Sequence, residues 1–408
     1  LGCGRRYLYE EEKGLKVLVI PSWYPPYGGG FIQEQAEALA EMGNDVTVLA
    51  IERISPRAMG QWLKAFVLLF LANYTAKQEG RLKVIRAQVP GLPRLPKIYA
   101  QFFSSKVSRC FFRYAKLNVY QPNVMHVHSL LWGGLAAAKI KKETNIPYLV
   151  TEHRGRFVDN QYVNAGEKQE MALPELVLAL SEAAKVLCVS SLLIPYLRKR
   201  VANAELDVLA NMVDVAHFTS SSLERTETET FQFICVANMV PLKGHETLLN
   251  ALSKLVQCGS NVHLTLVGDG WHRSYIQQHA KNLNLCEHVT FTGHLSRADV
   301  KQYLNAADAF VLPSQYEAFG IVYIEAMSMG LPVIATHSGG AVDFVNSDNG
   351  VLIDSGNEDA LYKAMERLMT DISKYDRLGI SEYVLANFSK SVIAKKLNRE
   401  LENIIGQL

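Results

Sequence analysis

The stretch Ser314–Gly340, SQYEAFGIVYIEAMSMGLPVIATHSGG, carries more structural information than any other part of the chain. Glu317 stands just ahead of a Gly-containing turn, and a second acid, Glu325, follows eight residues later. A Pro-led apolar run, Pro332 to Thr336, and a Gly-Gly turn close the stretch. This order reads as loop, helix N-terminus, helix and buried strand. Gly320 admits a close approach of backbone to ligand. The free N–H groups that open a helix suit a phosphate. Glu317 precedes the helix and Glu325 lies within it, at about 1.5 Å of rise per residue. Two acids flanking a phosphate seat suit the two ends of an elongated, hydroxyl-rich diphosphate, which is the shape of a nucleotide sugar. Acids also occur in first helical turns because the dipole favours them, so the pair draws its meaning from its neighbours.

Outward from this stretch, short runs rich in Val, Ile and Leu alternate with helix-length amphipathic segments. The first half offers Lys16–Ile20, Asp45–Ile51, Leu82–Ala87, Val124–Val127, Tyr148–Thr151, Lys185–Val189 and Leu206–Ala210. The second offers Phe231–Val236, Val262–Val267, Val289–Thr292, Ala309–Leu312, Val333–Ala335 and Val351–Ile353. Such runs indicate parallel sheets covered on both faces. Two series in one chain predict an α/β protein of two Rossmann-like, doubly wound domains facing a central cleft. A length of 408 residues fits two domains. The polar stretch Ser220–Thr230, SSSLERTETET, places the boundary, giving domains 1–220 and 221–388. Ser389–Leu408 reads as an amphipathic helix.

Six scattered cysteines without a CxxC pair argue against a disulfide scaffold or zinc site and for a reducing compartment. The start, LGCGRRYLYEEEKG, lacks the apolar core of a signal peptide. Its first residue is not Met, as in a processed start or an expression scar. The longest apolar run, within Leu63–Ala72, is about half of what spans a bilayer. The net charge of +2 conceals an asymmetry. Arg53–Lys116 holds 13 Lys/Arg and one acid, Glu79, and residues 1–220 hold 27 bases against 19 acids. This basic region, interleaved with Trp62, Phe66, Phe70, Phe102, Phe103, Phe111 and Phe112, suits an anionic membrane surface or an anionic, lipid-linked acceptor. The alternative is a solvated helical face with its aromatics in the core. No nucleic-acid-binding motif accompanies it, and no nucleic-acid partner is expected.

Pro313–Thr336 resembles the signature of family 4 glycosyltransferases, which have the GT-B fold: P-S-x-x-E-x-F-G-x-x-x-x-E-A-x-x-x-G-x-P-V-I-A-T. Pro313, Ser314, Glu317, Phe319, Gly320, Glu325, Ala326, Gly330, Pro332 and Val333 match it. The resemblance implies that Glu317 faces the transferred sugar, that Glu325 holds the ribose, and that the helix start at Phe319, Gly320 and Ile321 holds the diphosphate. It also implies that the last helix crosses back to the first domain.

Other loops fit the same resemblance. Gly28, Gly29 and Gly30 precede a helix over about Phe31–Glu41. A loop of this kind brings backbone N–H groups to an anion, though it is not GxGxxG. It resembles the family loop that meets donor phosphate and acceptor. His153 follows the strand Tyr148–Thr151, where the family has a His that approaches the donor sugar. His126 and His128 resemble the family's D-V-I-H-x-H. As i and i+2 on a strand they share a face, which suits structural or cleft-shaping roles. Asn211, Asp214 and Phe218 resemble P-N-G-V-D-x-x-x-F and read as a structural turn. Lys243-Gly244 matches a K-G whose Lys contacts the donor diphosphate. Five residues earlier the family usually has Arg, and here stands Asn238; Arg154 and Arg156 are candidate substitutes. Gly268 and Gly293 fall in loops placed around the base and ribose. Asp269 suits a helix cap. Asp343 replaces a common Glu.

The resemblance therefore implies a retaining glycosyltransferase, with His153, Lys243 and Glu317 as its catalytic group. It would move a sugar from a nucleoside diphosphate sugar to a glycan or lipid-linked acceptor, in surface polysaccharide or glycoconjugate synthesis. No cofactor or metal is expected, since no Asp-x-Asp is present and protein groups would supply the charge. A cytoplasmic protein, peripheral on the inner face of the membrane, is the expected setting. The rival readings are a noncatalytic nucleotide-sugar binding protein, suggested by Asn238, and a nucleotide-sugar epimerase of the same fold. A GT-B phosphorylase would need a pyridoxal phosphate lysine and a longer chain.

Overall fold

The computed structural model describes residues 14–26, 28–54, 67, 71–91, 95–155, 168, 172–219 and 229–407. Within them the apolar runs form two sheets. The first has eight strands: β1 (Lys16–Pro21), β2 (Asp45–Ile54), β3 (Thr75–Glu79), β4 (Leu82–Pro90), β5 (Val124–His128), β6 (Tyr148–Glu152), β7 (Lys185–Cys188) and β8 (Leu206–Val208). Their order is β3-β4-β2-β1-β5-β6-β7-β8. All neighbours are parallel except β3 and β4, an antiparallel pair at one edge. The second sheet is wholly parallel: β9 (Phe231–Val236), β10 (Val262–Val267), β11 (Val289–Gly293), β12 (Ala309–Val311), β13 (Val333–Thr336) and β14 (Gly350–Ile353), in the order β11-β10-β9-β12-β13-β14.

Each run expected from its apolar residues overlaps one of these strands, with Lys185–Val189, Leu206–Ala210 and Ala309–Leu312 running past their strands' ends. β3 was not expected: its sequence, TAKQE, is polar and almost wholly exposed. It is held by register with β4 and not by burial, so hydrophobic patterning does not reveal it.

The helices cover both faces. They are α1 (Gly30–Glu41), α2 (Pro96–Asn118), α3 (Leu135–Thr144), α4 (Pro174–Ser181), α5 (Ile194–Arg198), α6 (His245–Gln257), α7 (Arg273–Asn282), α8 (Arg297–Asn305), α9 (Ile321–Ser328), α10 (Glu358–Asp371), α11 (Arg377–Phe388) and α12 (Lys390–Gly406). α6 buries Leu248, Leu249, Leu252 and Leu255, a stripe at the helical period. In α12 the stripe is Ile393, Ala394, Leu397, Leu401 and Ile404. That stripe shares one core cluster with Val17 and Val19 of β1 and Ile32 and Leu39 of α1, so the chain's last helix lies on the first sheet. Asn44 Nδ2 donates to Asn398 Oδ1 at 2.8 Å, and Lys185 meets Glu400 at 2.9 Å. No described helix is long and apolar enough to cross a membrane.

The basic region resolves into distinct environments. Phe103 and Phe111 are core residues, and Phe102 and Phe112 pack against the core. Arg86 is paired with both Glu79 and Glu52. Lys106 Nζ is turned inward and donates to Leu71 O at 2.7 Å. Trp62, Phe66 and Phe70 lie outside the described residues, as does most of the 220–230 boundary.

In each sheet the strand order reverses once, between β1 and β5 and between β9 and β12. Ligands in open α/β sheets sit at the carboxyl ends of strands beside such a reversal. Leu397→Ala tests the seating of α12. Removing this fully buried side chain should destabilise the protein by about 2–5 kcal/mol, read as a lower urea midpoint; an unchanged midpoint would show that α12 adds nothing to the first core.

Candidate active site

A cavity of about 410 Å³ opens between the two sheets. Phe31, His153 and Asn211 line it from the first domain. Asn238, Lys243, Gly268, His294 and Glu317–Val322 line it from the second. Of the residues singled out in the sequence, the structure thus gathers His153, Asn238, Lys243, Gly268, Glu317, Phe319, Gly320 and Ile321 around one space. Gly29 and Gly30 stand beside it, joined to it through Phe31, and Gly293 adjoins the lining residue His294. Glu325 is not among the lining residues, and its carboxylate pairs with Arg297 at 3.2 Å.

Backbone constraints set the centre. Gly244 has φ +69 and begins α6; a Cβ there would lie 2.2 Å from Pro313 O. Gln315 N donates to Leu242 O at 2.8 Å. The Lys243 loop is therefore pressed against the Pro313–Gln315 loop. Gly320 has φ +85 and begins α9, where a Cβ would meet the Tyr323 ring at 2.4 Å. Tyr323 in turn donates its hydroxyl to Leu312 O at 2.7 Å. Glu317 forms a parallel bridge with Gly339, and Gly340 N donates to Glu317 O at 3.0 Å. The Gly-Gly turn thus pins the glutamate's backbone. With both loops fixed, Lys243 Nζ and Glu317 Oε2 form a close ion pair, each side chain about four-fifths buried. Lys243 is the only Lys or Arg lining the cavity among the described residues.

Across the cavity the histidines cluster. β5 and β6 are parallel neighbours with His128 opposite Thr151, which brings His153 beside His128. His128 Nδ1 and His153 Nε2 are 3.0 Å apart. His126 Nε2 lies 2.9 Å from Thr151 Oγ1. Burial holds His126 down to about 3 and His128 well below the usual imidazole value. His153 is held to about 3, by burial first and by His126 next, against a raising contact from Asn211. Glu152, fully buried, accepts Leu130 N through Oε2 and Arg154 N through Oε1, both at 2.8 Å. Burial raises its carboxyl above the usual range, and these N–H groups and Arg154 oppose the rise. Glu152 thereby fixes the loop that carries His153.

Other residues hold places the sequence did not reveal. Arg297, at the start of α8, pairs with Glu325 at 3.2 Å and with Glu34 of α1. Its guanidinium lies 5.1 Å from the Phe218 ring centroid. Glu325 is raised by burial and opposed first by Arg297. Arg154 lies between Trp23 and Trp132, 4.6 and 4.7 Å from their ring centroids, and is not part of the cavity lining. Arg156 lies outside the described residues. Asp269 does not cap α7: it accepts Gly270 N at 2.7 Å and meets Arg273 at 3.1 Å. Asp343 accepts Ser191 N at 2.7 Å and the Ser191 hydroxyl, from the opposite domain. Asn211, read as part of a structural turn, is a lining residue. Among the described residues no group of three or more His, Cys, Asp or Glu is placed to hold a metal ion.

Comparison with known proteins matches this layout. Residues 29–217 match the family profile described as Glycosyltransferase Family 4, and residues 220–383 match that described as Glycosyl transferases group 1. The chain is 30% identical over 224 residues to a GDP-mannose-dependent alpha-(1-6)-phosphatidylinositol monomannoside mannosyltransferase of Mycobacterium tuberculosis. That match covers 50% of this chain and 58% of the relative, so the chain spans little more than half of that relative's length. A putative teichuronic acid biosynthesis glycosyltransferase of Bacillus subtilis is 26% identical over 418 residues, covering 96% of this chain and 99% of its own. Sucrose-phosphate synthase from Thermosynechococcus elongatus superimposes with a TM-score of 0.77 over 96% of this chain and 100% of its own, at 22% identity. The two facing domains are the GT-B fold.

The buried histidines give a pH dependence of stability. A histidine held below its ordinary pKa of about 6.5 binds fewer protons folded than unfolded, so acidification favours the unfolded chain. His126, His128, His153 and His245, the last held to about 4 by burial, all act in this direction. Glu152 and Glu325, raised by burial, oppose them. With four groups against two, Tm should fall from pH 7 to pH 5, each fully buried histidine contributing up to about 1.4 kcal/mol per pH unit. His126→Asn should flatten the slope. A Tm that rises over this window would contradict the assignment.

Proposed function

The chain belongs to glycosyltransferase family 4, and on that premise we propose that it transfers a sugar from a nucleoside diphosphate sugar to a glycan or lipid-linked acceptor, with retention at the anomeric carbon. The observation that carries this reading is the Lys243–Glu317 pair, set in the cavity between the starts of α6 and α9 and opposite His153. Bond cleavage at the anomeric carbon leaves negative charge on the diphosphate. Lys243 and the N–H groups at the start of α9 stabilise that charge. Phosphate takes Glu317's place on Lys243 and frees the carboxylate to orient sugar hydroxyls. His153 meets the sugar from the first domain. The acceptor oxygen attacks on the face that the phosphate leaves, and its proton passes to the departing phosphate oxygen. Glu325, held by Arg297, faces the ribose, and Gly268 and His294 border the base. No metal takes part in this scheme. The protein works on the cytoplasmic side, in surface polysaccharide or glycoconjugate synthesis, and touches an anionic membrane through the basic region 53–116.

A donor panel beginning with GDP-mannose, the donor named for the mannosyltransferase relatives, tests the reading. Release of nucleoside diphosphate is expected for at least one donor, with the product keeping the donor's anomeric configuration. Lys243→Ala should lower kcat by about 10²–10³-fold, and Glu317→Gln should lower it likewise. Binding without turnover for every donor would favour the noncatalytic reading, and interconversion of the sugar itself would favour an epimerase.

The two domains should also close on the donor. X-ray scattering with and without the turned-over nucleotide sugar should show a smaller radius of gyration when it is bound; an unchanged radius would count against closure.

A further inference from the structure

We propose that Tyr316 is a positioning residue: its ring, seated on Gly155 across the cleft, sets the separation of His153 and Glu317. This rests on the reading of His153 and Glu317 as the groups that meet the donor sugar. Both line the cavity, one from each domain. Gly155 follows His153 by two residues, and Tyr316 directly precedes Glu317. These two neighbours touch each other. A Cβ at residue 155 would lie 1.9 Å from Tyr316 Cε1 and 2.4 Å from both its Cζ and its hydroxyl oxygen. The Gly155 backbone lies outside the left-handed region, so its conformation does not call for glycine. The space taken by the ring does.

The ring has little room to yield. It is half-buried and packs against the main hydrophobic core. The main chain is held on both sides of it: Gln315 N donates to Leu242 O at 2.8 Å, and Gly340 N donates to Glu317 O at 3.0 Å. A tyrosine ring is rigid and placed by two torsions, so it reaches a set distance from that main chain. Its phenol is raised by burial first, then by Glu317, by Tyr196 of α5 and by Glu152. Tyr196 and Glu152 belong to the first domain, so the ring tip stands in first-domain surroundings. The hydroxyl has no hydrogen-bond partner among the described residues, which leaves shape as what the contact supplies. The turn that holds Glu317 also meets the first domain. A Cβ at Gly340 would lie 3.0 Å from Ser190 Cβ, and Asp343 accepts Ser191 N at 2.7 Å. First-domain loops after β6 and β7 thus bear on the Glu317 segment at two points. The Tyr316–Gly155 contact acts as a stop on closure. With glycine at 155 the domains meet at one spacing; a larger residue forces a loop or a whole domain back, and His153 and Glu317 move apart.

The test measures kcat and donor KM of the full chain with the turned-over nucleotide sugar. Gly155→Ala should lower kcat by about 10- to 100-fold and leave the donor KM within about 3-fold. Tyr316→Phe keeps the ring and should hold kcat within about 2-fold of the native value. Tyr316→Leu ends short of the atoms that meet residue 155 and should lower kcat by about 10-fold. Gly155→Ala added to Tyr316→Leu should then cost less than about 2-fold more, because the clash is gone. Added to Glu317→Gln, it should cost no more than about 3-fold, because the carboxylate it displaces is already absent. Fully additive losses in either double variant overturn the proposal, and so does a native kcat in Gly155→Ala. If Gly155→Ala does not fold, Tyr316→Phe and Tyr316→Leu still decide: loss in the Leu variant alone supports the stop, and equal kcat in the two overturns it. If Glu317→Gln itself leaves kcat unchanged, the reading of Glu317 at the sugar fails first. If that variant loses activity while Gly155→Ala does not, only the role of Tyr316 fails.

Discussion

The ion pair of Lys243 and Glu317 constrains most of what surrounds it. Each side chain is about four-fifths buried, and a lone charge in that setting is costly. Each therefore serves as the other's counter-ion in the empty cavity. Close pairing demands that two loops from distant parts of the chain touch, and the sequence meets the demand at the backbone. Gly244 lets the lysine loop press on Pro313, and the Gly339–Gly340 turn holds the glutamate's main chain. Both helices next to the pair then begin at the same place, with unsatisfied N–H groups near a site that already holds one cation. A ligand phosphate can replace the carboxylate on Lys243 without leaving the lysine bare at any stage.

The contacts across the cleft are of a different kind. Arg297 reaches Glu34 from the second domain with its side chain 39% exposed and that of Glu34 29% exposed. Ser191 and Asp343 meet in an exposed contact. Part-exposed pairs of this sort are worth roughly 0–1 kcal/mol each, so they align the domains without locking them. The hydrophobic contribution of α12 is far larger and lies behind the cleft, on β1 and α1. The molecule is thus joined firmly at its back and lightly at its mouth. Arg297 has a second consequence: its charge and hydrogen bond oppose the rise that burial imposes on the Glu325 carboxyl.

How much of this was legible in the sequence follows from the range of each interaction. The strands could be read because their burial is written in consecutive residues, and β3 could not because only its pairing with β4 defines it. Glu317, Lys243 and Gly320 stood out because their loops repeat a recognisable order of residues. The partners of those residues were hidden. Nothing near Glu325 points to Arg297, 28 positions earlier, and nothing near His128 points to His153. That last contact exists because β5 and β6 are adjacent and parallel in one particular register. Asn211 looked like a turn residue because its sequence neighbours describe a turn; that the turn borders a cavity depends on where the second domain sits. Asp269 carried a capping signal, yet its carboxylate accepts Gly270 N and meets Arg273 one turn on.

Asn238 is where sequence and structure together narrow the physics. With asparagine there and Arg154 packed between two tryptophans, Lys243 is the sole described Lys or Arg on the lining, and Glu317 offsets it in the empty site. Each helix start adds an effect equivalent to about half a positive charge. A diphosphate placed in this cavity would meet one side-chain cation and the N–H groups of two helix starts. Such donors are short-ranged and directional, and they cannot swing to follow a misplaced ligand as an arginine can. The site then depends on the accuracy of its loops more than on its charge. Glycine at 244 and 320 meets that requirement, since any Cβ there would collide with Pro313 or Tyr323 and shift the N–H groups at the two helix starts.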